Sequence, residues 1–180
     1  MNNYSDTNLS NLSQTPANQG QRSLKLLVFS VGQLNVALSV DIVKKVVDYT
    51  TIYSSGLNHM GMARIDDREI TVVDLHKRLF NVSQPMPSHS RGYLVIARNS
   101  VGETFGILVS KAPSLQDIPI SQIRTLPESY RRSDTLEIAS HVTVISQQEG
   151  SLTVFILDVD RIVVPVSGVI GELPDLSYPL

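Results

Sequence analysis

One plan recurs four times in this 180-residue chain: a short apolar run, a turn, and a second apolar run. LKLLVFSV turns at Gly32-Gln33 and returns over residues 35–40. Gly61 to Ile65 turns at Asp66-Asp67-Arg68 and returns over Glu69 to Val73. Tyr93 to Arg98 turns over Asn99 to Gly102 and returns over Thr104 to Val109. HVTVIS (141–146) turns over QQEG and returns as LTVFIL (152–157). Runs of this length, rich in β-branched and aromatic residues and bounded by Gly, Asn and Asp, are hairpin signals. The four hairpins form two matched sets. LLVFSVGQLNVALSV corresponds to YLVIARNSVGETFGILV. ITVVDLHKRLF and VFILDVDRIVV each run a return strand into Asp, an apolar residue, two mostly polar residues and further apolar ones. The expected fold is all-β with a few short helices, as two small antiparallel barrels of similar build packed together.

The remaining segments fit around these hairpins. DIVKKVVD places Ile42, Val43, Val46 and Val47 on one helical face opposite Lys44 and Lys45, which predicts a short helix. Asp41 would cap it. Asp74 and Asp158 follow apolar strands and precede helical turns, so capping is expected of both, at roughly 1 kcal/mol each. Leu75, Leu79 and Phe80 would face inward. Residues 113–132, with Pro119 and Pro127, read as loop with one turn of helix. Residues 1–22, rich in Asn, Ser, Gln and Thr, lack the apolar side chains to offset ordering entropy and read as a disordered tail. One domain is expected over residues 23–166. Residues 167–180 then form a C-terminal tail or a docking arm, with Val169, Ile170, Leu173, Leu176 and Tyr178 favouring the arm.

Composition removes several classes of function. There is no cysteine, which excludes disulfides, thiolate metal sites and a cysteine nucleophile. The net charge of −2 argues against a nucleic-acid partner, which asks for a basic stripe. No apolar run approaches the ~20 residues that span a bilayer, and the N-terminus lacks the features of a secretory signal. A cytoplasmic location without membrane insertion is expected. The four histidines, His59, His76, His89 and His141, show no metal-binding spacing, so no metal and no cofactor is expected. Neither a nucleophile elbow nor a phosphate-binding Gly-rich loop is present. Adjacent Asp66 and Asp67 would point to opposite faces of an extended chain and cannot flank one bond as a glycosidase pair does. A turn explains them better.

From Leu24 to Val164 the sequence resembles the CheW-like domain, an adaptor module of bacterial chemosensory arrays that also occurs in the CheA kinase. LLVFSVGQLNVALSVDIVKKVVDY is similar to the family's opening strand pair and following helix. GMARIDDREITVVDLHKRLF is similar to its most recognisable segment, commonly Gly-Val-x-Asn-Leu-Arg-Gly, an apolar strand with Pro, then Asp-Leu-Arg. YLVIA, FGILVSKAPSL and FILDVDRIV match its later strands. The resemblance implies two five-stranded SH3-like barrels around a shared core and no enzymatic activity. It implies a scaffold coupling methyl-accepting chemoreceptor tips to a CheA-like histidine kinase in chemotaxis, twitching motility or phototaxis, with other CheW-like domains as further partners.

The departures fall where partners are expected to bind. Arg64-Ile65-Asp66-Asp67 stands for Asn-Leu-Arg-Gly, Thr71 for the usual Pro, His76 for the Arg after Asp-Leu, and Lys45 for a common Glu. Lys45, Gly61, Arg64, Asp66 and His76 are thus the partner-binding candidates. A reversed ion pair between Lys45 and Asp66 is expected, against the alternative of two ordinary solvated charges. No catalytic residue is assigned. Two other functions stay open: a small β-barrel enzyme with a His/Asp cleft, and a degenerate adaptor acting as an array spacer.

Overall fold

The computed structural model describes residues 22–54, 58–86, 92–131, 136–148 and 150–163. Apart from Arg22, the expected tail lies outside the described residues, as do the C-terminal arm and His89. The elements in chain order are β1 (Ser23–Val31), β2 (Leu34–Ser39), β3 (Val43–Asp48), β4 (Ile52–Tyr53), β5 (Met60–Ile65), β6 (Arg68–Val73), α1 (Leu75–Phe80), β7 (Tyr93–Arg98) and β8 (Thr104–Val109). There follow β9 (Ser114–Pro119), β10 (Arg124–Thr125), α2 (Glu128–Arg131), β11 (Ala139–Gln147), β12 (Gly150–Leu157) and α3 (Val159–Ile162). Single 3₁₀ turns occupy Val40–Ile42 and Ile120–Gln122.

The strands make two six-stranded sheets, ordered β10-β11-β12-β2-β1-β9 and β3-β7-β8-β6-β5-β4. Each holds five strands of six or more residues and one two-residue edge strand, β10 or β4. The all-β, two-unit plan therefore stands. Its assembly differs from a purely antiparallel reading. Each sheet takes one hairpin from each half of the chain, and the two return strands meet in parallel. β2 runs parallel to β12, with Val36 opposite Phe155, and β6 runs parallel to β8, with Val72 opposite Gly106. The halves are further interlocked by single strands: β3 leaves the first hairpin to pair with β7, and β9 leaves the third to pair with β1.

Burial follows from this exchange. On β1, Leu26 and Val28 enter the core of the first sheet, while Leu27, Phe29 and Val31 enter a core shared by both sheets. On β7, Leu94 and Ile96 enter the core of the second sheet, while Val95 and Ala97 enter the shared one. A strand buried on both faces has no polar side to display, which is why LLVFSV and YLVIA read as continuous apolar runs.

Three local expectations are corrected. DIVKKVVD is no helix: a 3₁₀ turn is followed by strand β3, whose half-buried Val43, Lys45 and Val47 alternate with exposed Lys44, Val46 and Asp48. Four of its eight residues are β-branched, which costs χ1 freedom in a helix and suits a pleated surface. Asp41 accordingly caps no helix. It lies inside the 3₁₀ turn, and Ser39, which precedes that turn, makes no side-chain capping bond. Residues 114–119, expected as loop, form edge strand β9, in which only Ile118 is buried and Pro119 sits at the end. An edge strand with one outer row unpaired tolerates that composition.

Candidate binding surface

Asp66 and Asp67 occupy a two-residue turn, flanked by the paired Ile65 and Arg68, with φ of 49° and 61°. Positive φ at both central positions is the type I′ arrangement whose twist matches a hairpin. The turn projects the Asp66 carboxylate to Lys45 of β3, and the two form an ion pair with side chains 73% and 38% exposed. β3 and the β5–β6 turn are not neighbours in the sheet. Three to four strand spacings separate them, roughly 14–19 Å if the sheet were flat. A lysine cannot bridge that span, so the sheet is coiled until its β3 edge approaches the β5–β6 tip. Ile65, Ile70 and Ile96 floor the mouth so formed, with Lys44 and Arg68 on its rim. The Lys44 ammonium donates to Thr104 Oγ1 at 2.8 Å. Arg64, on the outer face of β5, reaches Asp67 at 3.4 Å with both side chains well exposed.

Gly61 lies near the other end of β5. A Cβ there would stand 2.6 Å from Ile52 Cγ2 and 2.9 Å from the Tyr53 carbonyl, so glycine is what lets β4 lie flush on β5. Beside it opens a cleft lined by Tyr49, His59, Gly61, Asp74 and Lys77 among others. His59 and Asp74 thus share one cleft, the arrangement a His/Asp enzyme would need. Both Asp74 oxygens are however engaged by backbone: Oδ1 accepts from Lys77 N–H and Oδ2 from Gln84 N–H, each at 2.9 Å. The first bond caps α1, and the second holds the loop after it. Burial holds the His59 imidazole below its ordinary range, assisted by the charge of Arg78 and opposed by Asp74.

His76 sits apart from both places. Its Nδ1–H donates to the Val82 carbonyl at 2.6 Å, and its ring packs 5.0 Å from that of Phe80. Together they cover the Gly32 turn of the first hairpin. Phe80, expected inside, is 36% exposed there, while Leu75 is fully buried. The five sequence candidates are therefore not gathered into one site. Lys45 and Asp66 meet, Arg64 stays on the same hairpin, Gly61 belongs to the β4 junction, and His76 faces the opposite sheet.

A residue the sequence reading passed over does more to join the two sheets. Arg78, with a side chain only 13% exposed, donates to the Ile162 carbonyl at 2.5 Å and to Glu137 at 3.1 Å. It thereby ties α1, which follows β6, to the C-terminal carbonyls of α3, which follows β12. Its signal was its place, an arginine in the last turn of a helix capped by Asp74. Asp158 caps α3 by accepting from Asp160 N–H at 3.2 Å, and Asp160 accepts from Ser100 N–H at 2.9 Å on the third hairpin. No cluster of His, Cys, Asp and Glu suited to a metal occurs among the described residues, nor does any helix there have the length and apolarity to cross a membrane.

Comparison with known proteins follows this geometry. A family model described as the CheW-like domain matches residues 25–165. Among solved structures the chain is similar to the scaffolding protein TtCheW from Thermoanaerobacter tengcongensis, with a TM-score of 0.63 and 17% sequence identity over 78% of this chain and 87% of that one. No curated protein matches it in sequence.

Proposed function

The chain belongs to the CheW-like domain family, and from that premise we propose that it is a non-enzymatic signalling adaptor linking a methyl-accepting chemoreceptor tip to a CheA-like histidine kinase in the cytoplasm. The observation that carries this reading is the family match, which takes in β1 through α3. The placement of the titratable groups supports it. Asp74 and Asp158 act as helix caps bound to backbone amides, and Asp74, the carboxylate that lines the His59 cleft among the described residues, has both oxygens engaged in this way.

Partner choice resides at the Lys45–Asp66 pair. Being exposed, the pair contributes only ~0–1 kcal/mol to stability. It presents charges of the opposite sign from the common pattern, and a partner shaped for that pattern is repelled. This favours a specialised copy serving a pilus-motility or phototaxis pathway over a general chemotaxis adaptor. The test is affinity capture from the native cell with the wild-type chain and with the Lys45→Glu/Asp66→Arg exchange. Wild type should retain a chemoreceptor and a kinase, and the exchange should lose one of them while the fold is kept. Capture of neither by wild type overturns the adaptor reading. Equal capture by both chains overturns the role of the pair.

A further inference from the structure

We propose that the mouth between Lys45 and the β5–β6 turn takes an acidic segment of a partner protein with one apolar anchor, and that Asp66 is the internal stand-in which this segment displaces from Lys45. The mouth holds about 340 Å³ above its floor of Ile65, Ile70 and Ile96. That volume lies at the small end of the range for binding pockets, which suits a single apolar side chain. Around it stand three cations, Lys44, Lys45 and Arg68, against one carboxylate, Asp66. Arg68 makes no ion pair among the described residues, and Lys44 donates to a neutral hydroxyl, Thr104 Oγ1. The other charges nearby do not cancel this excess. Arg64 and Asp67 offset each other on the hairpin, and Glu103 accepts from Asn99 Nδ2 at 3.0 Å. Glu69 lines a separate depression with Phe105 and Val163.

Asp66 shows which group fits. Its side chain is 73% exposed at the tip of a turn and reaches Lys45 across the mouth. An exposed pair of this kind holds weakly. A carboxylate that arrives beside an apolar side chain also covers the isoleucine floor, and that burial lets it replace Asp66 at the lysine. Lys44 and Arg68 then face further carboxylates on either side of the anchor. That the segment belongs to a receptor or a kinase rests on the adaptor reading above, whereas the chemistry of the mouth does not.

The probe is a blocked peptide, acetyl-Asp-Glu-Leu-Glu-Asp-amide, titrated into the isotope-enriched full chain. The amide signals of Lys44, Lys45, Ile65, Arg68 and Thr104 should shift, and added salt should weaken the binding. The uncharged counterpart, acetyl-Asn-Gln-Leu-Gln-Asn-amide, should bind about tenfold more weakly, as should the acidic peptide to Lys44→Gln/Arg68→Gln. Asp66→Asn keeps a residue that type I′ turns favour, so the hairpin is retained. It should tighten the acidic peptide about threefold. No shifts at the mouth, or equal binding of the two peptides, overturns the proposal. So do shifts of the same amides on concentrating the chain without peptide, which would make the occupant a second copy. Unchanged or weaker binding to Asp66→Asn overturns the displacement. Receptor and kinase capture by wild type is read separately. Peptide binding without any capture leaves this inference standing and the adaptor reading failed, and capture without peptide binding does the reverse.

Discussion

Gly61 is decided by a contact of a single atom. Any Cβ at this position runs into Ile52 Cγ2 and the Tyr53 carbonyl, and a backbone oxygen cannot swing aside as a flexible side chain can. Gly61→Ala should therefore cost about 1–3 kcal/mol, measured as a lower denaturant midpoint at unchanged slope. His59 gives a pH dependence of known sign. The unfolded chain takes up its proton near 6.5, and the folded chain only at lower pH, because burial and the Arg78 charge disfavour the imidazolium. Between those two points the unfolded state holds more protons, so stability falls as pH drops below 6.5 and is regained as pH rises to it. Unfolding midpoints of wild type and His59→Gln at about pH 5 and about pH 7.5 should show a smaller acid loss in the variant. Neither effect is visible in the sequence string. Gly61 stood out there only as a partner-binding candidate and His59 only as a histidine without metal-binding spacing, and the roles seen here come from chain segments brought against them.

At the scale of elements, the three aspartates that precede or open short helical segments look alike in sequence and differ in the fold. Asp74 accepts two backbone N–H bonds, one closing α1 and one holding Gln84, which is 8% exposed. Asp41 lies exposed in a 3₁₀ turn and caps nothing. Asp74→Ala should cost about 1–3 kcal/mol, and Asp41→Ala should stay within about 0.5 kcal/mol of wild type, both by urea unfolding. Equal losses would contradict the geometry. The aspartate before α1 was legible because capping is local: an apolar strand, a short polar acceptor and an amphipathic turn are contiguous in the chain. β3 was not legible. Its apolar spacing fits a helix as well as a strand, and the antiparallel partner that settles the choice, β7, lies some fifty residues away. β9 was hidden for a related reason, since SLQDIP has little apolar character and becomes a strand only through pairing with β1.

For the molecule as a whole, the shared core makes two sheets one cooperative body. Phe105 on β8 is 1% exposed and belongs to that middle core together with Phe29 and Leu38 from the other sheet. Phe105→Ala should cost about 3–5 kcal/mol. Hydrogen exchange should report the loss in β1 and β2 as well as in β7 and β8, within a single unfolding transition. Protection lost in the second sheet alone would show that the two sheets unfold separately. Arg78 reinforces the same unity from the rim by joining α1 to α3.

The sequence by itself determined what depends on neighbours along the chain: four hairpins, their turns, two helix caps, the repeated plan of the halves, and the family they resemble. Turn conformation, capping and side-chain alternation are set within a few residues, so a string records them. Only the tertiary structure decided which hairpins share a sheet, that β2 meets β12 and β6 meets β8 in parallel, that β3 is a strand, and that coiling brings Lys45 to Asp66. Those outcomes depend on burying apolar faces from distant segments together. That free energy belongs to the assembled surface and not to any one stretch of chain.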